Sequence, residues 1–372
     1  MNTIVTGLFG TSGAWRCVAG LVMLAAGGIA ARAAELKPVT IANGQFVSDG
    51  HRLWINGANT PWHSWNDFGG DFDEAWWDGH LRAVKDSGIN AIRVWITCNG
   101  NVGIQIDEQG HVSGATDKHW HDLDRLFALL AKHRLYVMAT LISFDHFKET
   151  NAFHERWRKW IGSDAAIDSY VDNYLVPFLA RYGKAPSLWS IDLINEPDWV
   201  FENREDGQIP WPRMQSYFAR AARAIHQHSP TLVTVGLGSV KYGSDTAKGA
   251  QGNKVSDRAL QAVLDDPAVH LDFYTTHYYD WNGKIWGPAP YLTPAVYGIP
   301  TDKLAIIGEM PAKGTAGKTI TEDYQGAFAN GWQGMMAWTS NGVDDMGSLT
   351  QLGAATRAIH DQHRELVDGP AR

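Results

Sequence analysis

A single α/β domain of the (β/α)8 (TIM) barrel type is predicted by three features of the sequence. Eight short apolar runs recur along the chain, a helical pattern follows each, and no compositional break interrupts the series after residue 40. The runs are continuously apolar rather than alternating, as parallel strands covered on both faces should be. Their starts fall 29 to 53 residues apart, which leaves room each time for a helix and two loops. A doubly wound sheet seldom needs eight such units, so closure into a barrel is the economical arrangement.

The strands are expected at 52–58, 90–96, 135–142, 188–194, 232–236, 271–276, 304–308 and 333–338. Between them, a helix over 74–87 closes at Gly88, one over 117–133 opens with Asp117 as its cap, and a long one over 164–182 ends at Gly183. Helices over 213–228, stopped before Pro230, and over 319–330 and 349–364 complete the series. No antiparallel pair is expected.

The 372 residues are 44% hydrophobic and 19% charged, enough apolar material for a sizeable core and incompatible with a disordered chain. The formal charge is −8 with no basic run, which excludes nucleic acid as a partner. Seventeen tryptophans exceed what a core needs, so some rings are expected at the surface. An apolar stretch over 18–31 follows Arg16 and leads into Ala31-Arg32-Ala33-Ala34, the pattern of a secretory signal peptide over 1–34. A membrane anchor would need about 20 apolar residues. Cleavage would remove Arg16 and Arg32 and no acid, taking the charge to −10 and leaving a barrel domain over 35–372, secreted or periplasmic, free of the membrane and monomeric. Cys98 would then be the one cysteine, read as a structural thiol rather than a nucleophile.

A barrel of this type places its chemistry where the strands end. The fourth run ends Leu193-Ile194-Asn195-Glu196-Pro197 and the seventh Ile307-Gly308-Glu309-Met310, one glutamate at each end. A carboxyl group there suffers desolvation unless it is paired or used. Two facing each other across a barrel mouth form the pair that hydrolysis of a glycosidic bond requires, one protonated for the leaving oxygen and one ionised for the anomeric carbon. The alternative is a pair of rim salt bridges. Arg93, inside the second run, needs a carboxylate partner. His277 and Tyr279 follow the sixth run, where a tyrosine hydroxyl can hold a carboxylate ionised. Trp338 closes the eighth run with a flat face suited to a pyranose, and Asn59, Trp62 and Trp65 follow the first.

Together these residues resemble the clan A glycoside hydrolases of family five, the cellulase and β-mannanase family, over nearly the whole mature length. The resemblance rests on Arg93, Asn195, Glu196, His277, Tyr279, Glu309 and Trp338. It implies Glu196 as acid/base, Glu309 as nucleophile and Asn195 bonded to the hydroxyl beside the anomeric carbon. It further implies that Tyr279 and Arg93 orient Glu309, that His277 contacts the acid/base region and that Trp338 floors the subsite being cleaved. Many members carry a histidine at the end of the third strand; here His146, slightly later, is expected to fill that role as a substrate contact. No metal and no cofactor is expected, and the pairs His119/His121 and His226/His228 lack ligand spacing.

Trp62, Trp65, Trp199, Trp281 and Trp286 follow strands one, four and six and are expected as sugar platforms, whereas Trp76, Trp77, Trp120, Trp157 and Trp160 fall in helical segments and are expected to pack. Several platforms imply several subsites, hence a β-1,4-linked polysaccharide or oligosaccharide. The segments 62–67 and 277–281 resemble the mannanase-like branch of the family, which implies a retaining endo-β-1,4-mannanase. An exo-acting β-mannosidase, an endo-β-1,4-glucanase and a non-catalytic carbohydrate-binding barrel are the alternatives.

Overall fold

The computed structural model describes residues 36–369; the leader expected over 1–34 lies outside them. The apolar runs form eight strands: β1 (Ile55–Asn59), β2 (Ala91–Trp95), β3 (Tyr136–Ser143), β4 (Leu188–Asn195), β5 (Leu232–Leu237), β6 (Tyr274–His277), β7 (Ala305–Glu309) and β8 (Gly334–Ala337). They pair in parallel and in chain order, and β8 returns to β1 with Ala337 opposite Ala58, closing the barrel. Every strand residue is buried, which is why alternation is absent from the sequence.

The helices follow their local signals with two corrections. The helix Asp117–His133 is capped by Thr116, whose hydroxyl accepts the His119 N–H; Asp117 is its first residue instead. The stretch expected as one helix over 164–182 is Asp164–Tyr170 and Val176–Tyr182 joined by a π-helical turn, Val171–Leu175. Pro177 explains the interruption, since it cannot donate to the preceding turn and its ring needs the wider winding.

The sequence reading expected no antiparallel pair, and the structure has two sets. Val39–Ala42, Gln45–Ser48 and His51–Arg52 form a three-stranded antiparallel sheet, and Ile104–Ile106 pairs with Val112–Ala115 in the segment after β2. Asn43-Gly44 and Asp49-Gly50 make the turns of the first sheet with positive φ at both central residues (52° and 70°, 52° and 78°), as two-residue hairpins demand. This sheet presents Phe46 to Trp189 and Phe273, edge-on at 5.2 Å to each, in a buried cluster that includes Val39, Ile55, Met138 and Ile306. One end of the barrel is thereby filled with side chains, and the chemistry is confined to the other. There the register slips twice, between Thr234 and Gly236 on β5 and between Thr276 and His277 on β6. These irregularities set Gly236 beside Asn195 and His277 beside Glu309.

Candidate active site

Arg93 organises the mouth of the barrel. It is fully buried, and all five of its N–H donors are used. Nε donates to Asp192 Oδ2 (3.0 Å), Nη2 to the same oxygen (2.7 Å) and to Asn195 Oδ1 (2.8 Å), and Nη1 to Glu309 Oε1 (2.6 Å) and Asn59 Oδ1 (3.1 Å). Its guanidinium lies over the Trp95 ring at 4.2 Å. Gly236 permits this crowding, because a Cβ there would sit 2.9 Å from Asp192 Oδ2 and 3.0 Å from Arg93 Nη2. Asp192, in the middle of β4, was not singled out from the sequence; the signal was a lone acid in an apolar strand facing a lone arginine in another.

Glu196 and Glu309 approach each other here, in contrasting settings. One oxygen of each, with a ring nitrogen of His277, falls within 4.8 Å of the others. Glu309 receives one donor per oxygen, Arg93 on Oε1 and the Tyr279 hydroxyl on Oε2 (2.7 Å). Burial raises its pKa, and the charge of Arg93 and the Tyr279 hydrogen bond pull it back. Glu196 has no cation in contact. Its Oε1 faces His277 Nδ1 at 2.8 Å and its Oε2 accepts the Trp199 indole N–H at 2.8 Å. Burial pushes it up to about 7, opposed by Trp199. His277, buried, is pushed down to about 4 and stays neutral beside both acids.

Glu196 also carries an unusual backbone. At φ 50° and ψ 60° it is left-handed, which side-chain-bearing residues seldom adopt, and it ends β4 just before the helix Pro197–Glu202. Its N–H donates to Gly236 O at 2.7 Å, and Asp198 behind it, buried and pushed up to about 7, is tied to the Gly238 N–H and the Ser239 hydroxyl.

Above the two acids opens a cleft of about 530 Å³ that holds Glu196, Glu309, Asn195 and Tyr279 in its wall. Because Arg93 can only donate, Asn195 must turn its carbonyl oxygen inward, so its amide NH2 is left for the cleft. Six of the 17 tryptophans line the cleft. Trp62, Trp65, Trp95 and Trp338 form one group, with edge contacts of 4.6 to 6.0 Å, and Trp199 and Trp281 pair at 5.8 Å in another. Asp67 braces the segment that carries Trp62 and Trp65 by accepting the N–H groups of His63 and Ser64. Asp344 fixes Trp338 through its indole N–H at 3.1 Å.

Several expectations are corrected by this placement. His146 does not reach the cleft. It is fully buried, with Nε2 3.1 Å from the Thr97 hydroxyl, Nδ1 turned to Ser143 and its ring edge-on to Trp157 at 4.7 Å. Arg93 and His277 are fully buried beneath the cleft, Arg93 against Glu309 and His277 against Glu196, the places the resemblance implied for them, and Asn59 is buried with them, its side chain accepting from Arg93. Trp286 is absent from the cleft wall; its indole N–H donates to Lys248 O. Of the helical tryptophans, Trp77, Trp157 and Trp160 are fully buried, while Trp76 and Trp120 pack half-buried against the core. Cys98 is buried against Trp95 and Trp338 with its thiol pushed up by burial, unsuited to nucleophilic use. Phe144, Asp145, Lys148, Asp344 and Met346 complete the wall and had no distinguishing spacing in the sequence.

Comparison with known proteins gives a consistent result. A family model described as Cellulase (glycosyl hydrolase family 5) matches residues 48–328. The chain is 24% identical over 330 residues to a mannan endo-1,4-beta-mannosidase of Cryptopygus antarcticus, covering 81% of this chain and 84% of that protein. It is 23% identical over 320 residues to one of Mytilus edulis, covering 79% and 86%. The crystal structure of an endo-1,4-beta-mannanase from Eisenia fetida shares the fold, with a TM-score of 0.77 at 23% identity over 87% of this chain and 95% of that one.

Proposed function

Because the chain belongs to glycosyl hydrolase family 5, and is therefore a glycosyl hydrolase, we propose that it is a retaining endo-β-1,4-mannanase with Glu309 as nucleophile and Glu196 as acid/base. The observation that carries the reading is the pair of carboxylates within 4.8 Å in opposed settings. Retaining enzymes hold theirs about 5–5.5 Å apart, and inverting ones leave ~6.5 Å or more for a water. The open, aromatic-lined cleft suits a chain of sugars, and the named activities of the two relatives favour mannan over glucan.

In the first step Glu309, with Arg93 and Tyr279 holding its charge and aim, attacks the anomeric carbon while Glu196 protonates the departing oxygen. The Trp199 and His277 contacts occupy one direction at each Glu196 oxygen, which leaves the acid proton free to face the cleft. In the second step Glu196 takes a proton from water, and the hydroxide displaces Glu309 with the original configuration restored. Asn195 meets the hydroxyl beside the reacting carbon with its free amide.

Mannohexaose, cellohexaose and nitrophenyl β-mannoside, each followed by chromatography and proton NMR, test the reading. Internal cleavage of mannohexaose with the β-anomer appearing first is expected. Cleavage of cellohexaose alone would make it a glucanase, release of single mannose units an exo-enzyme, and an initial α-anomer would refute the double displacement. We further propose a monomer that begins at Glu35 after export, to be checked by sedimentation and N-terminal sequencing of the exported protein.

The acid/base assignment also sets a pH profile. kcat/KM should fall on the alkaline side as Glu196 loses its proton near pH 7. Trp199→Phe removes the N–H that favours the ionised form, so its pKa rises and the alkaline limb moves to higher pH. A limb that stays put, or moves down, would separate Trp199 from the acid.

A further inference from the structure

The two acids stand on separate strands, Glu196 just past β4 and Glu309 at the end of β7, and Glu309 takes one of its two donors from Tyr279, beyond the end of β6. These segments have to be held together, because a misplacement of about 1 Å at the reacting groups costs a large part of the rate. The strand ladder stops short of them, β5 at Leu237 and β6 at His277.

Tyr279 leads into the helix Asp280–Trp286, on which Trp281 and Ile285 are exposed and Asn282 is the one buried residue. An amide at the single buried position of a helix is a poor choice for packing alone, since its polar atoms must be matched. Asn282 is matched on both sides: its Oδ1 accepts the Tyr279 N–H at 2.8 Å, and its Nδ2 donates to Gly238 O at 3.2 Å. Those partners fix the orientation of the amide, because an N–H only donates and a carbonyl only accepts. Gly238 is held a second time through its own N–H, which donates to Asp198 Oδ2 at 2.9 Å, while the Ser239 hydroxyl donates to Asp198 Oδ1 at 3.1 Å. Both backbone groups of Gly238 are thus taken by buried side chains from the segments on either side of it, Asp198 after β4 and Asn282 after β6. Gly238 in turn forms the seat of the acid: a Cβ there would lie 3.3 Å from Cδ and from Oε1 of Glu196.

We propose that Asp198 and Asn282 are positioning residues that clamp Gly238 from its two sides and so hold the Glu196 carboxyl and the Tyr279 and Glu309 pair at their working separation. The proposal rests on Glu196 and Glu309 being the reacting pair. Neither Asp198 nor Asn282 is in the cleft wall, so each acts through the groups it holds. Without Asn282, Gly238 O and the Tyr279 N–H lose their partners, and the Tyr279 hydroxyl loses its aim at Glu309 Oε2. That hydrogen bond lowers the pKa of Glu309, so weakening it raises the pKa and moves the acidic limb of kcat/KM to higher pH. Arg93, His277 and Glu196, the other titratable groups around Glu309, are the same in both chains.

The unaltered chain, Asn282→Ala, Asp198→Ala and Asp198→Asn are compared on whichever of mannohexaose and cellohexaose the unaltered chain cleaves. Glu309 is titrated in parallel by the carbon-13 signal of its carboxyl, assigned by its loss in Glu309→Gln. Asn282→Ala should lower kcat by about 10- to 100-fold with KM within about twofold, and raise both the acidic limb and the Glu309 pKa. Asp198→Ala should lower kcat at least about tenfold, and Asp198→Asn, whose amide oxygen still accepts the Gly238 N–H, should recover most of that loss. A residue that only supported the fold would reduce the active fraction and leave the limb and the titration in place. Should Asn282→Ala fold poorly, Asn282→Asp keeps the volume and the acceptor for Tyr279 but, when ionised, has no donor for Gly238, and should still lower kcat at least about fivefold. If the unaltered chain cleaves neither substrate, the assignment of the reacting pair fails, and the carboxyl titration in Asn282→Ala still decides the clamp. Parent-like kcat in both Asn282 variants, a loss of rate in Asn282→Ala with Glu309 titrating as before, or equal losses in Asp198→Asn and Asp198→Ala would overturn the proposal.

Discussion

Glu309→Ala is expected to lower kcat on mannohexaose by on the order of 10⁵-fold while leaving the melting temperature at or above that of the parent chain. The asymmetry follows from the site. The carboxylate is buried, so removing it relieves a desolvation cost, and Arg93 keeps Asp192 as its ion-pair partner at 2.7 Å. Sodium azide supplies an external nucleophile of the right size. With an aryl mannoside it should restore part of the turnover and yield the α-azide, the product of a single inversion. Retention of more than about 1% of kcat without azide would remove Glu309 from the reaction.

Arg93→Met should be the most damaging single change to the fold, at about 3–5 kcal/mol, because it leaves two buried carboxylates, Asp192 and Glu309, without a cation. It should also raise the pKa of Glu309, whose ionised form Arg93 favours, so any residual activity loses its acidic limb at a higher pH. Adding Asp192→Asn to Arg93→Met removes one stranded charge, and urea unfolding should then recover part of the stability with none of the activity. If the single variant melts with the parent chain, the network around Arg93 is not what holds the mouth of the barrel together.

Much of this was legible in the chain before folding, and the lapses have physical causes. Eight apolar runs located all eight strands, since burial on both faces leaves a continuous signal that neighbours do not alter. The ends slipped where a run was shared with something else: 52 belongs to the antiparallel sheet and not to β1, and 271–273 precede β6. That sheet was readable from Asn43-Gly44 and Asp49-Gly50, whose turn chemistry is local, but its short strands lack an apolar run. Nearness to a strand end did not reveal where His146 points, because Thr97, which holds its ring nitrogen, lies on another segment, far away in sequence. Asp192 needed the barrel closed before its pairing with Arg93 could be seen. Lys148, Asp344 and Met346 reach the cleft through loop paths that no periodicity encodes.

The left-handed backbone and largely desolvated carboxyl of Glu196 have a consequence for anyone who selects variants of this chain by heat alone. Asparagine tolerates that conformation and carries no charge, so Glu196→Asn should melt later than the parent by roughly 1 kcal/mol of added stability. A screen that rewards survival and ignores turnover would therefore enrich inert chains altered at position 196, and the hardiest clones would be those that had given up their chemistry.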